Sequence, residues 1–379
     1  MKSYPYILAI LFITSLAACG LQKTEESTDP VDGKFIIGYV FPGNRVMSGS
    51  EINGALLTHI NFAFANIVDG KMVEGSPTDS INFAVLRKLR EQHPHLKILI
   101  SVGGWGWSGN FSDMALTHQN RAVFIQSAIE FLKKHELDGL DFDWEYPGLP
   151  GNNNIHRPED KENFTALLHE CRQALDELDG DEKHYLLTIA AAAFSGYLEH
   201  TEMDVVAEYL DFINIMTYDF TGEWANITGH HTNLYKPELD STAMSVEGSI
   251  ELFVNAGVPA EKLLIGAAFY GRSWQEVSPE NNGLGQPATG LAGTDLKYKS
   301  ILRDYLSDPA FLELRDTSAA APFLWNPEER IFITYEDPES LKRKAKFVND
   351  KGLRGIMFWQ YFGDHEETLL RVIFDEINR

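Results

Sequence analysis

Cysteine is nearly absent. The 379-residue chain carries two, Cys19 and Cys171. Two thiols make no disulfide framework, and their spacing fits no metal-ligand set. Cys171 lies at helical spacing among Leu167, Leu168 and Leu175, the setting of a buried free thiol. Basic charge is also scarce: 32 Lys and Arg stand against 55 Asp and Glu, a net charge of −23. A surface this acidic repels phosphate backbones, which argues against a nucleic-acid partner. Beyond the amino terminus no apolar run is long enough to cross a bilayer as a helix. No GxGxxG loop follows the first strand-like segment, which disfavours a dinucleotide-binding fold. No Ser/His/Asp or Cys/His arrangement stands out. What is present is a globular composition: 44% hydrophobic residues, enough for a large core, and 23% charged.

Residues 1–19 read MKSYPYILAILFITSLAAC: a basic start, a short apolar stretch, then small residues before a cysteine. Leu16-Ala17-Ala18-Cys19 resembles a bacterial lipobox. That resemblance implies a lipoprotein signal peptide over 1–18, lipidation of Cys19, and membrane contact through the lipid anchor only. The alternative is an ordinary signal peptide and a secreted protein. Gly20 is compatible with the outer membrane of a bacterial envelope. Residues 19–33 are polar and aperiodic, as a flexible tether is. A lipidated Cys19 leaves Cys171 without an intramolecular partner.

From residue 34 the chain alternates short apolar runs with longer amphipathic stretches. The strand candidates are 35–41, 59–65, 97–102, 139–145, 185–191, 212–218, 263–269 and 355–360. Continuous apolar runs such as Lys97-Ile-Leu-Ile-Ser-Val102 suit parallel strands buried on both faces. Eight of them with helices between predict an α/β fold, a (β/α)8 TIM barrel over 34–274 and 335–379. Between the seventh strand and the helix near Pro338 lie roughly sixty residues, far more than a usual βα loop. Residues 275–334 are therefore expected to form a small α+β insertion domain on the active-site face.

The chemistry concentrates in Asp138-Gly-Leu-Asp141-Phe-Asp143-Trp-Glu145-Tyr-Pro147. A strand sends alternate side chains to one face, so Asp141, Asp143 and Glu145 share a side and Leu140, Phe142 and Trp144 take the other. Three neighbouring carboxylates are costly to ionise together, and repulsion with desolvation keeps one protonated near neutral pH. That is a route to a general acid. The same residues also admit a set of structural buried acids, or oxygen ligands for magnesium or calcium. No histidine clusters with them, and neither a metal nor another cofactor is expected.

Asp138-x-x-Asp141-x-Asp143-x-Glu145 matches the DxxDxDxE signature of glycoside hydrolase family 18, the chitinase family. Ser101-Val-Gly103-Gly104 resembles its SxGG strand, and Met216-Thr-Tyr218-Asp219 its MxYD strand. Phe269-Tyr270-Gly271-Arg272 and Phe358-Trp359-Gln360 resemble its last two strand ends. The order of motifs agrees across nearly the whole mature chain, and the insertion sits where deep-groove members carry theirs. The resemblance implies retaining hydrolysis of β-1,4 linkages in chitin or N-acetylglucosamine oligosaccharides, with the substrate acetamide as nucleophile. Glu145 would be the acid and base. Asp143 would orient the acetamide, Asp141 would hold Asp143, and Tyr218 would donate to the acetamide oxygen. Asp219 would contact sugar and tune Glu145, and Trp359 would floor the distorted ring. Trp105 and Trp224 are candidates for neighbouring subsites. Tyr39, Phe64, Met216, Tyr270 and Arg272 would line the pocket. Ser101, Gly103 and Gly104 would shape the strand end, and Asp138, of opposite parity, would support the strand.

Two other classes remain on the same scaffold. A chitin-binding lectin resembles this chain but lacks the acid. An endo-β-N-acetylglucosaminidase acting on glycans usually lacks the large insertion, and peptidoglycan is a further candidate substrate. His230 and His231, adjacent in Thr228-Gly-His-His-Thr, face opposite ways if extended, which speaks against joint metal ligation. Nothing in the sequence sets an oligomeric state.

Overall fold

A computed structural model of the chain describes Met1, residues 33–179 and residues 183–379. The span expected as a signal peptide, Met1 apart, together with Cys19 and most of the expected tether, lies outside the described residues. Eight parallel strands close into a ring: β1 (Phe35–Val40), β2 (His59–Val68), β4 (Lys97–Gly103), β5 (Gly139–Asp143), β6 (Leu186–Ala192), β7 (Phe212–Met216), β8 (Leu263–Ala268) and β14 (Gly355–Trp359). β1 pairs with both β14 and β2, which removes the sheet edges. This is the (β/α)8 barrel that the alternating rhythm implies.

One strand pairing adds to that rhythm. β3 (Lys71–Glu74) turns back antiparallel on β2. Its turn is Asp69-Gly70, with φ 50° and 72°, a conformation that Asp and Gly tolerate and β-branched residues do not.

The helices are α1 (Asp79–Gln92), α2 (Phe111–Ala115), α3 (His118–His135), α4 (Asp160–Asp179), α5 (Ser195–Glu199), α6 (Met203–Tyr209), α7 (Val246–Asn255), α8 (Tyr298–Asp304), α9 (Pro338–Asp350) and α10 (Thr368–Ile377). Their apolar stripes pack on the outward side chains of the barrel strands, so Phe142 and Trp144 join Phe111, Phe124 and Phe164 in the outer core. A smaller cluster fills the barrel: Phe35, Ile37, Tyr39, Ala63, Ala190, Phe212, Leu264 and Met357. Among the described residues no α-helix joins β1 to β2. α10 packs there instead, against α9 and the Gly54–Leu56 turn.

A second sheet of five antiparallel strands occupies the long βα connection: β9 (Arg272–Gln275), β10 (Thr289–Gly290), β11 (Leu312–Asp316), β12 (Ala321–Asn326) and β13 (Ile331–Thr334). It has its own core of Trp274, Val277, Leu284, Phe323, Trp325 and Phe332. The sheet starts at Arg272, because the chain leaves β8 through Phe269–Gly271 directly into β9. It is stitched to the loop after β7. Trp274 Nε1 donates to Ala225 O at 2.9 Å, and Ala288 N donates to Asn226 O at 2.9 Å. A Cβ on Gly290 would stand 1.8 Å from Glu223 O, so only glycine admits this approach.

Candidate active site

β5 ends at Asp143, two residues short of Glu145. Asp141 and Asp143 point into the barrel, as alternation requires, and Glu145 follows at its carboxyl-terminal mouth. Asp141 is fully buried and accepts four hydrogen bonds: from Thr188 Oγ1 at 2.6 Å, Ser101 Oγ at 2.7 Å, Tyr39 OH at 2.8 Å and Asn214 Nδ2 at 3.3 Å. Burial raises its pKa, and these bonds work against the rise. Asp143 stands between the other two acids. Its Oδ1 is buried without a protein partner. Burial first, then the charges of Glu145 and Asp141, push its pKa well above the carboxylate range. Burial and mutual repulsion thus favour protonation along the row, at Asp143 together with Glu145.

Glu145 is raised from 4.5 to about 7, chiefly by burial. A hydrogen bond from Tyr146 works against this, and the nearby charge of Asp219 adds to it. A carboxyl of this kind gives a proton readily at neutral pH. Asp219, half-buried with its side chain 34% exposed, differs. Burial alone would raise it, but the neighbouring imidazole of His231 and the guanidinium of Arg272 hold it well below the usual range. Of the two, Arg272 carries the geometry: its Nε and Nη2 reach Asp219 at 2.8 and 2.7 Å, while His231 Nδ1 lies 3.7 Å away. Arg272 Nη1 also reaches Glu223 at 3.0 Å, and the guanidinium stacks near the rings of Trp224 and Tyr270.

The aromatic residues gather at the same mouth. Trp359 ends β14, half-buried, with its ring 5.9 Å from Tyr39 and 5.5 Å from Phe64 in a stacked arrangement. Tyr218 lies just past β7, its hydroxyl 3.9 Å from Met357 Sδ and its ring 6.2 Å from Tyr270. Burial and the surrounding carboxylates raise its pKa, so it remains a proton-bearing donor. Met216 packs partly buried against the barrel's inner cluster. Trp105 and Trp224 are 54% and 59% exposed, unusual for tryptophan, and so offer open ring faces. Asp138 lies at the opposite end of β5, bonded by Arg90 and Lys183 and by the amide of Ile98.

His230 and His231 turn to different carboxylates, His230 to Asp316 at 3.3 Å and His231 toward Asp219. Among the described residues no group of three or more His, Cys, Asp or Glu is placed to hold a metal ion. Cys171 is a buried free thiol.

Sequence reasoning missed several residues. Thr188 and Asn214 complete the bonds on Asp141, and the signal was available: each is a lone polar residue at an inward position of an otherwise apolar strand. Ser101 does more than shape a strand end, because it bonds Asp141. Phe41, 40% exposed, lies 5.8 Å from the Trp359 ring. Glu223 shares Arg272 with Asp219 from a loop whose pairing only the fold reveals.

The sequence profile described as Glycosyl hydrolases family 18 matches residues 36–364. Chitinase A1 of Niallia circulans is 34% identical, over 97% of this chain and 62% of that protein, which is the longer of the two. Chitotriosidase-1 of Mus musculus is 35% identical, over 82% of this chain and 67% of its own length. Among solved structures, a family 18 N-acetylglucosaminidase from Paenibacillus barengoltzii superposes with a TM-score of 0.84 at 39% identity, covering 91% of this chain and 100% of that one. With the acidic strand, the barrel and these similarities in agreement, the chain belongs to family 18 of the glycosyl hydrolases, as a chitinase-type enzyme.

Proposed function

We propose that the chain hydrolyses β-1,4 linkages beside N-acetylglucosamine, in chitin or its oligosaccharides, with retention of configuration. The observation that carries this reading is the row of three acids that runs from inside the barrel to its mouth. Asp141 is held by four donors, Asp143 Oδ1 is buried without a protein partner and its carboxyl is pushed well up by burial and by its neighbours, and Glu145 stands at the mouth, raised to about 7. Glu145 gives its proton to the departing glycosidic oxygen. Asp143 turns toward the acetamide nitrogen and steers the carbonyl oxygen onto the anomeric carbon. Tyr218 donates to that oxygen. Family 18 departs in this way from the scheme of two enzyme carboxylates. Glu145, now ionised, activates the water that opens the cyclic intermediate. Trp359 floors the reacting sugar, and Trp105 and Trp224 offer faces to its neighbours. Arg272 fixes Asp219 so that its charge stays close to Glu145.

Release of single N-acetylglucosamine units is the second reading, favoured by the 39% identity to the Paenibacillus enzyme. Glu145 speaks against a lectin. The test is proton NMR of the first products from chitotetraose. Substrate assistance predicts the β-anomer at the new reducing end. An α-anomer formed first means inversion, and rules the scheme out. Product length in the same spectra separates monomer release from cleavage within the chain.

A further inference from the structure

Glu145 lies beyond the last paired residue of β5, whose register with β4 ends at Gly103 opposite Asp143. Its amide therefore has no ladder acceptor. One hydroxyl takes the place of the ladder: Glu145 N donates to Ser108 Oγ at 2.9 Å. The same oxygen donates to Gly104 O at 2.9 Å and has Asp143 O within 3.1 Å. A single side chain thus ties the exit of β4 to the exit of β5.

The local sequence explains how Ser108 comes to lie there. After β4 the chain runs Gly103-Gly104-Trp105-Gly106-Trp107-Ser108. Gly103 and Gly104 have φ of 104° and 75°. A Cβ on Gly103 would stand 2.4 Å from Asp143 O, and one on Gly104 would stand 2.7 Å from the Phe64 ring. Glycine alone lets the chain fold back this closely. Gly104 N then donates to Asp143 O at 2.8 Å, and Trp107 N to Gly104 O at 3.1 Å. Ser108, at the head of a short 3-10 turn, is set against the end of β5. It is 2% exposed, too deep to meet a sugar.

We propose that Ser108 is a positioning residue for the catalytic acid. It fixes the backbone of Glu145, and with it the direction of the carboxyl over the cleft, without touching substrate. The proposal rests on the reading of Glu145 as proton donor. A misplaced acid has a specific consequence. A sugar leaving group needs the proton, whereas dinitrophenolate is a weak base and departs without one. Damage to the cleft at large harms both substrates alike.

The experiment compares kcat/KM for chitotetraose and for dinitrophenyl β-chitobioside in wild type, Ser108→Ala, Ser108→Cys and Glu145→Gln. Ser108→Ala is expected to lose about ten- to a hundredfold on chitotetraose, the scale of a small misplacement of a catalytic group, and less than about threefold on the dinitrophenyl glycoside. Ser108→Cys keeps the volume and a weak acceptor, falls between the two, and carries the test if the alanine variant does not fold. Equal losses on both substrates, or no loss on either, overturn the proposal. Glu145→Gln separates this from failure of the underlying reading. If it too loses both activities equally, Glu145 is not the proton donor and Ser108 has no acid to position.

Discussion

Glu145 owes its acidity to its surroundings rather than to its type. Burial lifts it, and Asp219, kept ionised by Arg272, adds a negative charge nearby. The sign of the pH dependence follows. In the proposed scheme the protonated acid is the competent form, so kcat/KM is expected to decline as pH rises through about 7. Asp219→Asn removes the charge that favours the protonated carboxyl. The pKa of Glu145 then falls toward its ordinary value, and the alkaline limb moves to lower pH. A pH profile of kcat/KM checks this, and a limb that stays in place or moves upward contradicts the coupling. Asp219 itself illustrates what a motif leaves unsaid. The MxYD run marks it as a functional acid, but its ionisation depends on Arg272, 53 residues later, delivered by the first strand of the second sheet.

The elements were legible to the extent that their periodicity was strong. The barrel strands other than β5 stand out as short, largely apolar runs, β5 stands out by its alternating acids, and β4 is buried along its whole length after Lys97. Strand ends were harder to place. Glu145 falls past β5 because the ladder to β4 closes at the Gly103 turn, which alternation along one strand does not reveal. The β2–β3 hairpin announces itself only through Asp69-Gly70. Ser108 has no signal in the pattern, since its role depends on a loop doubling back. The joint between the two sheets is equally silent in sequence. Lys344 on α9 and Glu336 form an ion pair with both side chains 1% exposed. Lys344 Nζ also donates to Thr232 Oγ1 at 2.7 Å, and Thr232 donates to Thr217 O, the residue before Tyr218. Lys344→Met strands Glu336 in the interior, a change expected to cost about 3–5 kcal/mol in denaturant unfolding. Changing both, to Met and Leu, is expected to recover most of that loss. An unaltered midpoint in the single variant contradicts the role given to the pair.

At the scale of the molecule, the barrel divides its tasks between two ends. The amino-terminal ends of the strands are tied by structural pairs such as Asp138 with Arg90 and Lys183. The carboxyl-terminal ends, walled by the second sheet, collect the acids, the tyrosines and the exposed tryptophans. The charge of −23 has no part in attracting the uncharged polymer proposed as substrate, so its capture has to come from the cleft itself. Within the cleft the account turns on one proton held by Glu145. The direct measurement is product formation from chitotetraose by wild type and by Glu145→Gln, with the fold of each verified by circular dichroism. The account predicts shorter N-acetylglucosamine oligomers from wild type, and from the folded variant a rate lower by about 10²–10⁴-fold. A folded Glu145→Gln protein that cleaves the tetramer within about tenfold of the wild-type rate lies well short of a general acid's contribution and contradicts it.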